Sequence, residues 1–135
     1  MIEVNNLTAN RIDKKNLKRI AERVLKGEKK EKKAISIALV GKIRIKELNR
    51  KYRKKNKATD VLSFSYEGGG EIVLSPEIIK ENARKFNLSA KKELARSLIH
   101  GILHLLGHDH EKTEKEEKKM QNLQDNYLKI CQKLI

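Results

Sequence analysis

Apolar residues along the chain switch between two periods, and the switches divide it into elements. "MIEVNN" alternates weakly and predicts a short first strand. From about Asn10 to Lys26, Leu17, Ile20, Ala21 and Val24 follow the i, i+3, i+4, i+7 spacing of an amphipathic helix. Gly27 is the expected helix stop. "EKKEKK" then reads as a solvated charged loop. "AISIALV" alternates cleanly, with Ile35, Ile37 and Leu39 on one side and Ala34, Ser36 and Ala38 on the other, as a strand requires. Lys42 to about Arg53 predicts a short basic helix with Ile45, Leu48 and Tyr52 turned inward. "VLSFS" and "EIVLS" are strand-like runs joined by "YEGGG". No Gly-Lys-Ser/Thr follows those glycines, so they read as a turn and not as a phosphate cradle.

The second half is helical. Ser75 as N-cap, Pro76 in the first turn and Glu77 at the positive end of the dipole start one helix, which Phe86 and Leu88 close. Ser89 caps the next, running through Leu94, Leu98, Ile102 and Leu105. It is apolar nearly all round, as expected of a central buried helix. The last helix starts at about Thr113, with Met120, Leu123, Tyr127, Ile130 and Leu134 as its seam. Packing on the chain's own core is the expected use of that seam; a coiled-coil partner is the alternative. The order predicts a single α+β domain over residues 1–135, with a small mixed sheet of about four strands and about five helices.

Charge changes this picture more than composition does. Lys and Arg outnumber Asp and Glu 32 to 18, a net +14. Such an excess points to a polyanionic partner, with nucleic acid ahead of an anionic membrane. A heat-adapted surface is the plain alternative, but it would carry both signs more evenly. A single cysteine, Cys131, excludes an internal disulfide and a cysteine-rich zinc ribbon. A reducing, cytoplasmic setting without a membrane partner is expected.

Candidate chemistry is concentrated in "HGILHLLGHDH", which holds all four histidines of the chain. His100 and His104 are one helical turn apart, so their rings share a face. Gly107 can turn the chain in the left-handed conformation, and His110 can return to complete a three-imidazole site. Three nitrogen ligands leave a fourth position open, as in catalytic zinc sites, and this places the metal site on the central buried helix. One Zn²⁺ is the expected cofactor; Ni²⁺, Co²⁺ and Cu²⁺ remain open. His108 is a spare, read as a surface or substrate-side residue. Asp109 is either a support for a ligand imidazole or a simple turn residue. The spacing is that of metzincin peptidases, but those place Glu directly after the first His as general base. Here Gly101 stands there.

"KIRIKELNRKYRKKNK", residues 42–57, holds nine positive charges against Glu47 alone. It makes a phosphate-contacting surface, with Arg50, Lys51, Arg53, Lys54 and Lys55 as candidate substrate-binding residues. A solvated helix face is the alternative. Aromatic residues are few, so affinity should come from the backbone contacts and fall with salt.

Together these residues carry a family resemblance. "HGILHLLGHDH" resembles the His-Gly-x-Leu-His-Leu-x-Gly-(Tyr or His)-Asp-His signature of the YbeY family of bacterial rRNA maturation factors. "LNRKYRKKNKATDVLSF" and "GGEIVLSPE" are similar to that family's other conserved blocks, in the family's order. The resemblance implies a zinc-dependent, single-strand-specific endoribonuclease in rRNA maturation (small-subunit rRNA 3′ end processing) and ribosome quality control. It implies His100, His104 and His110 as zinc ligands, Arg53 as the functional arginine, and single-stranded rRNA and the ribosome as partners, with no DNA expected. Three positions depart from the pattern. Ala58 stands for Pro before Thr-Asp, Ser65 for Pro after Ser-Phe, and Glu71 for Asp after Gly. The last puts any role of that carboxylate in doubt.

Three rivals stay open at this point. They are a ribosome-associated RNA-binding assembly factor with a mainly structural metal, a metzincin-like zinc peptidase, and a small-molecule hydrolase. Gly101 and the charge weigh against the peptidase.

Overall fold

The computed structural model describes residues 1–108 and 113–135. Four strands, β1 (Ile2–Asn6), β2 (Ala34–Leu39), β3 (Val61–Tyr66) and β4 (Gly69–Leu74), form one sheet in the order β1-β2-β4-β3. β1, β2 and β4 are parallel; β3 runs antiparallel on the edge beside β4. Five α-helices accompany them: α1 (Lys14–Gly27), α2 (Lys42–Arg53), α3 (Pro76–Lys85), α4 (Ala90–Leu105) and α5 (Glu114–Ile130). A short 3₁₀ turn, Gln132–Leu134, follows. This is the expected small α+β domain with a mixed sheet.

Strand alternation gives the sheet two unequal faces. Ile35, Ile37, Leu39, Ile72 and Leu74 enter a large core with α1, α3, α4 and α5. Leu62 and Val73, paired across β3 and β4, point the other way and meet Val40 and Ile45 in a small cluster under α2, edged by part-buried Ala38, Leu48, Ala58 and Phe64. Within the large core, Leu98, Ile99, Ile102 and Leu103 of α4 have no exposed surface. α4 packs on α1, α3, α5, β3 and β4, which makes it the central helix.

Several local expectations are corrected. α1 starts at Lys14, not near Asn10, because side chains hold residues 6–10 in a turn. Thr8 N donates to Asn6 Oδ1 (3.0 Å) and Asn6 Nδ2 to Asn10 O (2.7 Å). Asp13 then caps α1 by accepting from Asn16 N. α1 does end at Gly27, as expected, but not through a left-handed glycine; Lys29 takes that conformation (φ 57°). Gly27 is needed instead because a Cβ there would collide with the Tyr127 ring. The β3–β4 turn uses only Glu67 and Gly68 (φ 84°), as a two-residue hairpin favours. Gly69 and Gly70 belong to β4, where a Cβ would strike the Ala34 carbonyl and the Leu105 side chain. Ser75 occupies the N-cap of α3, but its buried hydroxyl makes no cap bond. Phe86 ends α3 yet is exposed. Tyr52 is 58% exposed; the inward polar residue of α2 is Asn49. On α5, Ile130 faces solvent, and the buried stripe is Met120, Gln124 and Tyr127, continued by Cys131.

Candidate metal centre and basic face

α4 sets His100 and His104 on one side of the helix while the opposite side is sealed in the core. Both rings are half-buried, with centroids 6.4 Å apart and planes at 33°. Two imidazoles on one tetrahedral zinc, with Zn–N near 2.0–2.1 Å, hold their ring centres roughly 5 Å apart. The pair is therefore about 1 Å wider than a closed site, a gap that small side-chain rotations cover. The donor set and its spacing fit a borderline-soft transition metal. His100 Nδ1 lies 2.9 Å from Gln124 Oε1 on α5.

The end of α4 is built to redirect the chain. Gly107 takes a left-handed conformation (φ 100°), as expected. Gly107 N donates to His104 O (3.1 Å) and His108 N to Leu103 O (3.0 Å), the paired bonds of a Schellman cap. His110 and Asp109 lie outside the described residues. Among the described residues no group of three His, Cys, Asp or Glu side chains gathers as a metal site.

His108, expected to be a spare surface or substrate-side residue, is part-exposed and has a defined partner. Its Nε2 meets Glu28 Oε1 at 2.7 Å, and Tyr127 Oη donates to Glu28 Oε2 at 2.6 Å. Glu28 is no solvated loop residue: its side chain is only 16% exposed. Burial works to raise its pKa, but the hydrogen bonds from Tyr127 and His108, helped by the charges of His108 and Lys119, hold it below the usual carboxylate value. Burial and the Glu28 bond push the Tyr127 phenol well above its ordinary range. Cys131 is buried against the core, which raises its thiol pKa and suits a packing role.

Gly101, where a metzincin keeps its base, faces the sheet. A Cβ there would lie 2.9 Å from Val61 Cγ2, and the Gly101 carbonyl accepts from Ser63 Oγ (2.7 Å). A glutamate does not fit, so the helix–sheet packing itself disfavours the peptidase reading.

The cationic candidates form a separate region. Arg50, Lys51 and Arg53 end α2, and Lys54 and Lys55 follow; all five are exposed. Lys54 caps α2 in the left-handed conformation (φ 57°), and buried Asn49 ties the turn down by donating to Lys57 O (2.9 Å). α2 packs on the sheet face opposite α4, with edge strand β3 between them. The structure thus groups the five cations with one another and the two histidines with one another, but on different faces. Beside the Ser63–Gly101 bond, a second polar link ties β3 to α4: Asp60, at the start of β3, accepts from Ser97 Oγ (3.3 Å).

Sequence reasoning missed Gln124, Glu28, Tyr127 and Asn49 as supports. Gln124 left a readable sign, since it interrupts an apolar stripe at i+4 from Met120 and i−3 from Tyr127.

Known proteins resemble the chain over nearly its whole length. The family model described as Endoribonuclease YbeY matches residues 3–132. A protein of Persephonella marina named Endoribonuclease YbeY is 43% identical over 84% of this chain and 80% of its own. One of the same name from a Sulfurihydrogenibium species is 42% identical over 91% and 84%. The solution structure of a Thermotoga maritima protein superposes with a TM-score of 0.74 at 38% identity, covering 97% of this chain and 89% of that one. With nearly its whole length matched by the family model, the chain belongs to the YbeY endoribonuclease family.

Proposed function

We propose that the protein is a zinc-dependent, single-strand-specific endoribonuclease acting in rRNA maturation, including small-subunit rRNA 3′ end processing, and in ribosome quality control. The observation that carries this reading is the paired half-buried imidazoles of His100 and His104 on the rigid central helix of a YbeY-family chain. His100, His104 and His110 would hold one Zn²⁺. When bound, the ion supplies a Lewis acid and a water acidified to near pH 7.

The chain's own residues do the rest. α4 fixes two ligands in place before the ion arrives, so little ordering is left to be done at binding. The cations on the end of α2 would hold the RNA backbone, and Arg53 would share the charge that develops on the phosphoryl oxygens where the strand rounds the sheet edge. Because α2 and α4 flank β3, a bound strand would pass around the sheet edge. A flexible single strand makes that bend at little cost, whereas a duplex resists it. Ribosomal partners would bring the substrate strand to this edge.

The test is cleavage of end-labelled RNA by the zinc-loaded protein, single-stranded against duplex, with and without a chelator. Cleavage confined to the single strand and abolished by chelation is expected. Cleavage that survives chelation would overturn the zinc assignment, and equal cutting of duplex would overturn the strand preference.

A further inference from the structure

The buried stripe of α5 contains a polar residue where packing alone asks for an apolar one. Met120, Gln124, Tyr127 and Cys131 recur at one-turn intervals, and Gln124 is only 5% exposed. An amide taken out of water without a hydrogen bond costs about 1–3 kcal/mol, so a partner must justify its presence. Its Oε1 lies 2.9 Å from His100 Nδ1. A glutamine carbonyl oxygen can only accept, so at this contact the imidazole must donate. The proton of neutral His100 is then on Nδ1, and the lone pair is on Nε2. A neutral histidine binds a metal through its unprotonated nitrogen, and the bond made by the other nitrogen selects which one that is.

We infer that Gln124 is a positioning residue for the metal centre, fixing the tautomer and ring orientation of His100 so that Nε2 is the ligand atom. The inference rests on the zinc reading above. The same helix face supports it at a second point. One turn beyond Gln124, Tyr127 donates to Glu28, which also bonds His108. α5 thus braces the histidine segment at His100 and again just past the end of α4. A glutamine chosen only for packing would be replaceable by an apolar residue of similar shape; one that selects a tautomer would not.

The experiment compares wild type, Gln124→Met and Gln124→Glu. Methionine keeps the length and loses the acceptor; glutamate keeps the acceptor. Nitrogen-15 NMR of the metal-free proteins, under conditions where imidazole is neutral, reads the His100 tautomer. A competition titration against a chromophoric chelator reads zinc affinity. Wild type and Gln124→Glu should carry the His100 proton on Nδ1. Gln124→Met should move it toward Nε2 and weaken zinc binding by about 10–100-fold, the usual range for losing such a partner. Gln124→Glu should stay within about tenfold of wild type. If Gln124→Met does not fold, Gln124→Asn, whose shorter arm cannot span the contact, gives the same comparison. A folded Gln124→Met with unchanged tautomer or unchanged zinc affinity overturns the inference. A wild-type protein that binds no zinc overturns the zinc reading and this inference together. Failure of the inference alone looks different: wild type and variant then bind zinc equally.

Discussion

The two faces of the sheet are built on different terms. On the α4 face, Ile37, Ile72, Leu98 and Ile102 belong to a deep core, and the histidines above it are braced by buried or half-buried polar side chains on other elements. On the α2 face, four buried residues form a thin cluster, and the charges outside it stand in water. Reactive groups must be held to a fraction of an ångström, and a dense core supplies that rigidity. Phosphate contacts need only sign and approximate place, and solvated lysines supply them without strain. On the proposed function, precision and grip would be separated across one sheet, with edge strand β3 between them.

That separation can be broken from either side. The largest effect is expected from His100→Ala. It should lower zinc affinity by at least about a hundredfold, beyond the 10–100-fold typical of an outer partner. RNA binding by the metal-free protein should change by less than about twofold. Equilibrium dialysis with zinc and RNA filter binding measure the two. Core deletions come next. Ile102→Ala should cost about 3–5 kcal/mol in denaturant unfolding. Ile45→Ala, beneath the thinner cluster, should fall at the low end, about 2 kcal/mol, because its surroundings can collapse. Equal costs would mean that the two faces are equally packed.

Neutralising Arg50, Lys51, Lys54 and Lys55 together to Gln sharpens the comparison from the other side. The slope of log affinity for single-stranded RNA against log salt should fall by about 3, at roughly 0.7 per lost phosphate contact. Zinc affinity should not move, and each exposed change should alter stability by no more than about 0.5 kcal/mol. A loss smaller than that of either core deletion is expected at the brace. Tyr127→Phe removes a bond to a carboxylate and should cost about 1.5 kcal/mol at neutral pH. Tyr127 has its folded pKa raised above the ordinary 10, so its contribution is full below pH 10 and declines as pH rises above that value. Glu28 has its folded pKa lowered, so its contribution is present above its ordinary 4.5 and declines as pH falls below that. The phenylalanine variant should therefore lose stability less steeply than wild type above pH 10, a difference that alkaline denaturation curves would show.

What the sequence made legible follows from how local each signal is. Alternation placed β2 and its inward Ile35, Ile37 and Leu39, and heptad-like spacing placed the inner face of α1, because both periods are properties of one segment. Gly107 was legible as a helix end since few other residues take its conformation. Gly27 was legible as the end of α1, but its reason was not, because it lies 100 residues away in the Tyr127 ring. Glu28 misled for a like reason: its lysine neighbours suggest solvent, while its partners come from α5 and the end of α4. Tyr52 and Ile130 fitted a helical spacing but fell at the margins of their stripes, where tertiary packing decides. The histidine pair was readable from spacing alone; its supports were not, because hydrogen-bond partners are set by the fold.

The central claim is that the histidines are gathered to build a catalytic zinc site, and that RNA is held elsewhere. Its most direct test is one preparation of wild type and His104→Ala, made identically, assayed for bound zinc, for folding and for cleavage of a labelled single-stranded RNA. The account predicts that folded His104→Ala loses both zinc and cleavage while still binding RNA. A folded His104→Ala that cuts the RNA as fast as wild type would contradict it.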